Sequence, residues 1–117
     1  MEKIEIPDSI RCEFEEKGGI EGIVELLPDD QSLEYINSIA RAISDPVRLR
    51  VLFALCIQPM CVCLIVAMTE YAYSKMSYHL SILKESGLIY SKQEGNYLIY
   101  HPTDLGNKVV QWIRKSL

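Results

Sequence analysis

The chain has 117 residues, enough for one domain with a modest core but not for two. Its hydrophobic share of 49% and charged share of 24% are those of an ordinary globular protein, and no apolar run approaches the ~18–20 residues of a membrane span. The net charge of −4 and a pI near 5.1 argue, taken as totals, against a nucleic-acid partner.

The N-terminus, MEKIEIPDSI, lacks the basic-then-apolar order of a signal peptide, so a cytoplasmic location is expected. Cys12, Cys56, Cys61 and Cys63 are then expected to stay as thiols: buried hydrophobes, metal ligands or redox sensors. Charge is unevenly spread. Residues 1–37 hold eleven acids against three bases, whereas 38–117 hold five acids against nine bases. An acidic arm joins a mildly basic body, and only the body's local field meets phosphate.

In chain order, residues 1–30 read as an acidic extension: a short helix around 9–17, a Gly18-Gly19 break, an apolar stripe at Ile20, Ile23, Val24 and Leu27, and a stop at Pro28-Asp29-Asp30. Helical period resumes at Leu33, Ile36, Ile39, Ala40 and Ile43. Asp45-Pro46 starts the next helix, since Asp caps free N–H groups and Pro at the first position loses no bond. That helix is expected to turn Leu49, Leu52, Phe53 and Cys56 inward and to end before Pro59. A helix from near Cys61 to Thr69 and another over 73–86 follow, the latter burying Met76, Leu80 and Leu83 and ending on Gly87. LIYSK and YLIYH then alternate like strands around Gln93-Glu94-Gly95-Asn96, a hairpin signal. A last helix begins near Thr103 or Asp104 with its stripe at Leu105, Val109, Trp112 and Ile113, which needs either core or a second subunit to cover it. The fold class is mostly α with a β-hairpin: a winged helix-turn-helix over 31–117, with N- and C-terminal dimerisation helices.

On the 73–86 helix, Ser74, Tyr78 and Ser81 point away from the core, flanked by Lys75 and Ser77. This is either a solvated polar face or one that lies in a DNA major groove. Lys92 and Asn96 at the hairpin tip are either phosphate contacts or ordinary turn residues, and Arg41, Arg48 and Arg50 divide the same way. His79 and His101 read as structural. Cys61 and Cys63, at i and i+2, would point ~200° apart within a regular helix. Just after Pro59 the backbone is still entering the helix, where two thiolates can converge and a helix N-terminus favours their charge. By spacing alone two small buried hydrophobes are the better reading. No nucleophile–base pair, phosphate-binding glycine loop or paired carboxylates stand at useful spacing, so no enzyme is expected.

The stretch from Ile43 to His101, with S-D-P-V-R-L-R-V-L at 44–52, C-V-C at 61–63 and S-Y-H-L-S-I-L-K-E-S-G-L-I at 77–89, resembles the ArsR/SmtB metalloregulators. The resemblance implies a homodimeric repressor of double-stranded operator DNA, contacting it through Ser74, Lys75, Ser77, Tyr78, Ser81, Lys92 and Asn96, with no membrane partner. It further implies release by a thiophilic ion (arsenite, antimonite, cadmium or lead) at Cys61 and Cys63. By similarity to cadmium sensors, Cys12 of the opposite subunit is the third ligand, with Glu16 or Cys56 as possible additions. A thiol-redox or ligand-independent regulator is the alternative. Three departures stand out. Glu70 occupies the usual turn glycine, implying an altered turn. P-M-C-V-C-L replaces E-L-C-V-C-D. Gly106 and Leu117 fall where relatives carry histidines of a second site on the terminal helix, so that site is not expected here.

Overall fold

A computed structural model describes residues 4–117; the first three residues of the acidic extension lie outside the described residues. The elements in order are α1 (Asp8–Glu16), α2 (Gly19–Leu26), α3 (Asp30–Ile43), α4 (Pro46–Ile57), β1 (Met60–Cys61), α5 (Val62–Thr69), α6 (Tyr73–Glu85), β2 (Ile89–Glu94), β3 (Tyr97–Pro102) and α7 (Asp104–Lys115). This is the expected mostly helical architecture with a β wing, and it adds one element. Met60 and Cys61 form a short strand that makes the sheet three-stranded and antiparallel, in the order β1-β3-β2. Two compact units divide within α3, one ending at Glu34 and the other running Tyr35–Leu117.

In the first unit, α1 and α2 contain no buried residue. Ile10, Ile20, Val24, Leu26 and Leu27 are each at least half exposed. Asp29 starts α3 by accepting the Ser32 N–H at 2.7 Å, four residues before the apolar period of that helix begins at Leu33.

In the second unit, Asp45 caps α4 as expected, accepting from the Val47 and Arg48 N–H groups at 2.8 and 3.3 Å, with Pro46 at the first turn. The inward face of α4 differs from expectation. Val51, Leu52, Ala54 and Leu55 are buried, while Leu49, Phe53 and Cys56 are only partly so. The reason is that α4 packs against α5, α6, α7 and β3, which cover most of its circumference rather than one stripe. Met76, Leu80 and Leu83 of α6 join this core with at most 2% exposure, together with Leu88 and Ile89 at the corner leading into β2. In α7 the buried positions are Gly106 and Val110; Leu105, Val109 and Ile113 are half-buried and Trp112 stays 69% exposed.

Candidate nucleic-acid interface and thiol pair

The helix-turn-helix is α5, a three-residue turn and α6. The turn needs one left-handed residue, and Glu70 supplies it at φ 62°, ψ 19°. The glycine-type geometry therefore persists without glycine, and the expectation of an altered turn is corrected: the chain tolerates the side-chain strain at 70 rather than re-routing the turn. At the other end of α6, Gly87 (φ 79°) closes a Schellman motif. Its N–H donates to the Lys84 carbonyl at 3.1 Å, and the Leu88 N–H donates to the Leu83 carbonyl at 3.0 Å.

With Met76, Leu80 and Leu83 inside, Ser74, Lys75, Ser77, Tyr78 and Ser81 are all exposed, Tyr78 at 63%. Lys92 and Asn96 are exposed too, but they do not share the hairpin tip. The ladder continues to Glu94 opposite Tyr97, so Gly95 and Asn96 alone form the loop. Lys92 sits mid-strand opposite Ile99, because the pairing extends two residues further than the turn signal indicated. Tyr71 and Tyr73, exposed at the entry to α6, also border this face. Only their position beside the turn could have drawn attention to them.

An unforeseen anchor fixes α6. Arg48 of α4 donates from Nε to the Ala42 carbonyl at 2.7 Å and from Nη2 to the Arg41 carbonyl at 3.1 Å, closing the C-terminus of α3. Its Nη1 lies 3.0 Å from His79 Nδ1. A guanidinium only donates, so His79 accepts at Nδ1 and carries its proton on Nε2. Tyr71 packs edge-on against the same imidazole, with ring centres 6.3 Å apart. Arg48 and His79 are thus scaffold, and no sequence signal links positions 31 residues apart.

Cys61 is both the last residue of β1 and the residue that caps α5, with extended backbone at φ −77°, ψ 165°. Cys63 is already helical. That change of backbone between i and i+2 brings the two sulfurs to 3.0 Å. The Cys63 thiol and then the Leu64 N–H hydrogen-bond the Cys61 sulfur, holding the Cys61 thiol below its ordinary range. Cys63 is held above it, because losing its proton breaks that contact and sets two thiolates side by side. The pair therefore favours one thiolate and one thiol. An ion bound at ~2.3 Å by both sulfurs in tetrahedral geometry needs them ~3.8 Å apart, a shift of under ~1 Å that two exposed side chains can make. In the N-terminal unit, Cys12 Sγ lies 3.7 Å from Glu16 Oε1, one helical turn away, and both are exposed. Cys56 stands apart, its sulfur 4.0 Å from the Gly106 carbonyl and its thiol pushed up by burial. Among the described residues no three His, Cys, Asp or Glu side chains gather as a metal site.

Residues 45–91 match the family described as bacterial regulatory protein, arsR family. The chain is 33% identical to an HTH-type transcriptional regulator of Methanocaldococcus jannaschii, over 63% of this chain and 84% of that one. The chain belongs to the ArsR family. A transcriptional repressor SmtB homolog of Synechocystis sp. is 29% identical over 99% of both chains. An arsenical resistance operon repressor of Bacillus subtilis is 35% identical over 55% of this chain and 62% of that one. The fold recurs in the homodimeric winged helix-turn-helix domain from Mycobacterium bovis, with a TM-score of 0.69, 20% identity, and coverage of 77% of this chain and 86% of that one. This ArsR-family chain is a regulator rather than an enzyme. Its terminal helix also explains one departure from the family pattern. A Cβ at 106 would run into the Leu88 carbonyl, so that position has no room for a ligating side chain.

Proposed function

We propose that this ArsR-family protein is a transcriptional repressor that binds operator DNA as a homodimer and releases it when a thiophilic metal or metalloid binds Cys61 and Cys63. The observation that carries the reading is the 3.0 Å sulfur pair at the start of the first helix of the helix-turn-helix. An ion drawn to that pair acts on the element that aims α6, which gives it unequal affinity for DNA-competent and incompetent forms, as any switch requires.

DNA contact is assigned to Ser74, Lys75, Ser77, Tyr78 and Ser81 of α6, with Lys92 and Asn96 of the wing. The support is their shared exposure on a helix whose opposite face is buried, and the M. bovis relative that carries the same fold as a DNA-binding domain. A second copy of the chain is the occupant assigned to the apolar face of α7, where Trp112 is 69% exposed, and, separately, to that of α1 and α2, where Leu26 is 72% exposed. Two-fold symmetry then sets a palindromic operator with half-sites about one DNA turn apart, ~34 Å.

Cys12 of the partner subunit is the third ligand in this reading, and Glu16 supplies an oxygen beside it. Three soft sulfurs suit As(III), Sb(III) or Pb(II), and Cd(II) with the added oxygen, better than Zn(II), which prefers four ligands. The B. subtilis relative, named for arsenical resistance, points to the same class of inducer. The test is fluorescence anisotropy on DNA from the protein's own promoter. The parent should be released by arsenite or Cd(II). The Cys61→Ser, Cys63→Ser variant should bind equally and stay bound, and Cys12→Ser should weaken release only. Release of the double variant at parental metal concentration would place the inducer elsewhere.

A redox reading draws on the same contact. Two thiols 3.0 Å apart, one with a lowered pKa, can form a disulfide, passing two electrons and two protons to hydrogen peroxide, which becomes two waters, or to an organic hydroperoxide, which becomes an alcohol and a water. Release by peroxide with loss of two thiols, and none by Cd(II), would favour it over the metal.

A further inference from the structure

An open cleft of about 570 Å³, with polar side chains around an apolar floor that includes Ile82, lies between the C-terminal half of α3, α4 and α6. Its wall carries Arg41 and Arg48, the hydroxyls of Ser38, Ser44 and Tyr78, and the carboxylate of Glu85. It is separate from the thiol pair and shares only Tyr78 with the DNA-reading face.

The charge in this wall is unspent. Among the described residues the one ion pair within 4.0 Å is Arg11–Asp8, so neither guanidinium here meets a carboxylate at contact distance. Arg48 is held rigid by the Ala42 and Arg41 carbonyls and by His79, which use three of its five N–H groups. Arg41 is exposed, and among the described residues its side chain makes no hydrogen bond. One fixed guanidinium beside one free guanidinium is an arrangement that grips a carboxylate or phosphate through parallel N–H bonds.

The hydroxyls add a second requirement. Ser38 Oγ donates to the Tyr35 carbonyl and Ser44 Oγ to the Arg41 carbonyl, each at 2.8 Å. Their protons are committed, so they offer the cavity lone pairs only, as does Glu85. A bare oxyanion would satisfy the arginines and leave these acceptors facing it. We propose that the cavity binds a small organic anion that also bears hydroxyl donors, of the hydroxy-acid or sugar-phosphate class. Its oxyanion lies on Arg41 and Arg48, and its hydroxyls reach Ser38, Ser44 and Glu85. The volume falls within the ~300–1,000 Å³ of small-molecule sites. An occupant ties α6 to α3 through Tyr78 and Glu85, so it changes DNA affinity as well; that consequence rests on the repressor reading above.

The test uses the full chain without DNA. Citrate, glucose 6-phosphate and inorganic phosphate are titrated while NMR follows the Arg48 Nε–H and the Tyr78 ring. Citrate or glucose 6-phosphate should shift both signals with a dissociation constant of about 1 mM or tighter, at least tenfold tighter than phosphate. Arg41→Gln, checked for an unchanged melting temperature, should weaken binding at least tenfold, and Arg41→Lys less. No shift with any probe, equal binding by Arg41→Gln, or phosphate binding as tightly as the hydroxylated anions would each overturn the proposal. Loss of random-DNA affinity in Arg41→Gln, with anion binding intact, would also overturn it and make Arg41 a seat for DNA phosphate. Because anion binding is read without DNA, its failure is distinct from failure of the repressor reading.

Discussion

Cys61 and Lys92 lie in one row of the sheet: Cys61 pairs with Ile99 in the β1–β3 ladder, and Ile99 pairs with Lys92 in the β2–β3 ladder. Two strand spacings of ~4.8 Å put the backbones of the thiol pair and the wing lysine ~10 Å apart, joined by hydrogen-bonded backbone. In the proposed switch, an ion that displaces Cys61 would act on the wing through β3 as well as on α6 through α5. Amide hydrogen exchange at Ile99 and Tyr100 should change on adding Cd(II) to the parent and stay unchanged in Cys61→Ser, Cys63→Ser. Identical exchange in the parent with and without metal would remove the sheet from the mechanism.

The thiol pair should titrate in two steps. Cys61 is lowered and Cys63 raised, so one sulfur alkylates below the ordinary thiol range and the second above it. The lowered group contributes stability above its unfolded pKa that fades as pH falls through its folded value. The raised group contributes below its unfolded pKa and fades as pH rises through its folded value. The two oppose each other around pH 9, so the signature belongs in reactivity, not stability. Mass spectrometry after brief iodoacetamide treatment at mildly alkaline pH should show a singly modified pair first. In Cys63→Ser the Cys61 profile should move up towards an ordinary thiol.

Glu70→Gly should stabilise the protein. The left-handed backbone at 70 costs a non-glycine residue about 1 kcal/mol, partly offset by glycine's greater freedom when unfolded. A gain of up to about 1 kcal/mol raises the melting temperature by a few degrees. Glu70→Val, β-branched at the same φ, should lower it. A drop with glycine would mean that the Glu70 side chain itself holds the turn.

Gly106→Ala should be costly. The added methyl meets the Leu88 carbonyl, which is backbone and already accepts the Thr103 N–H at 3.0 Å, so it has little room to retreat. Overpacking of this kind costs about 1–3 kcal/mol. The melting temperature should fall by a few degrees for each kcal/mol lost. A melting temperature equal to that of the parent would show that α7 can slide off the corner after Gly87.

On DNA, Tyr78→Ala should lower affinity for the operator more than for random sequence, whereas Lys92→Ala should lower both alike. If the dimer neutralises about six phosphates, log K should fall against log salt with a slope near −5, and Lys92→Ala should make it shallower. Competition binding at several salt concentrations measures both. Equal losses for Tyr78→Ala on operator and random DNA would remove that residue from the reading role.

Residues that act on near neighbours were legible in the chain itself. Asp45-Pro46 caps α4, Gly87 closes α6, and Met76, Leu80 and Leu83 share one face, because capping, left-handed turns and helical period are set within a few residues. The alternation in LIYSK and YLIYH marked the wing for the same reason, though its register did not follow from the turn signal. Only tertiary structure placed Met60 and Cys61 in a strand, since two residues carry no period and their partners, Tyr100 and Ile99, lie about forty positions on. That pairing sets the extended backbone at Cys61 from which the sulfur contact follows. Arg48 reached His79, and Gly106 proved to be excluded volume rather than a missing ligand, through the same kind of non-local contact. Sequence encodes such contacts only through the packed core that brings distant backbone together, so no short window contains them.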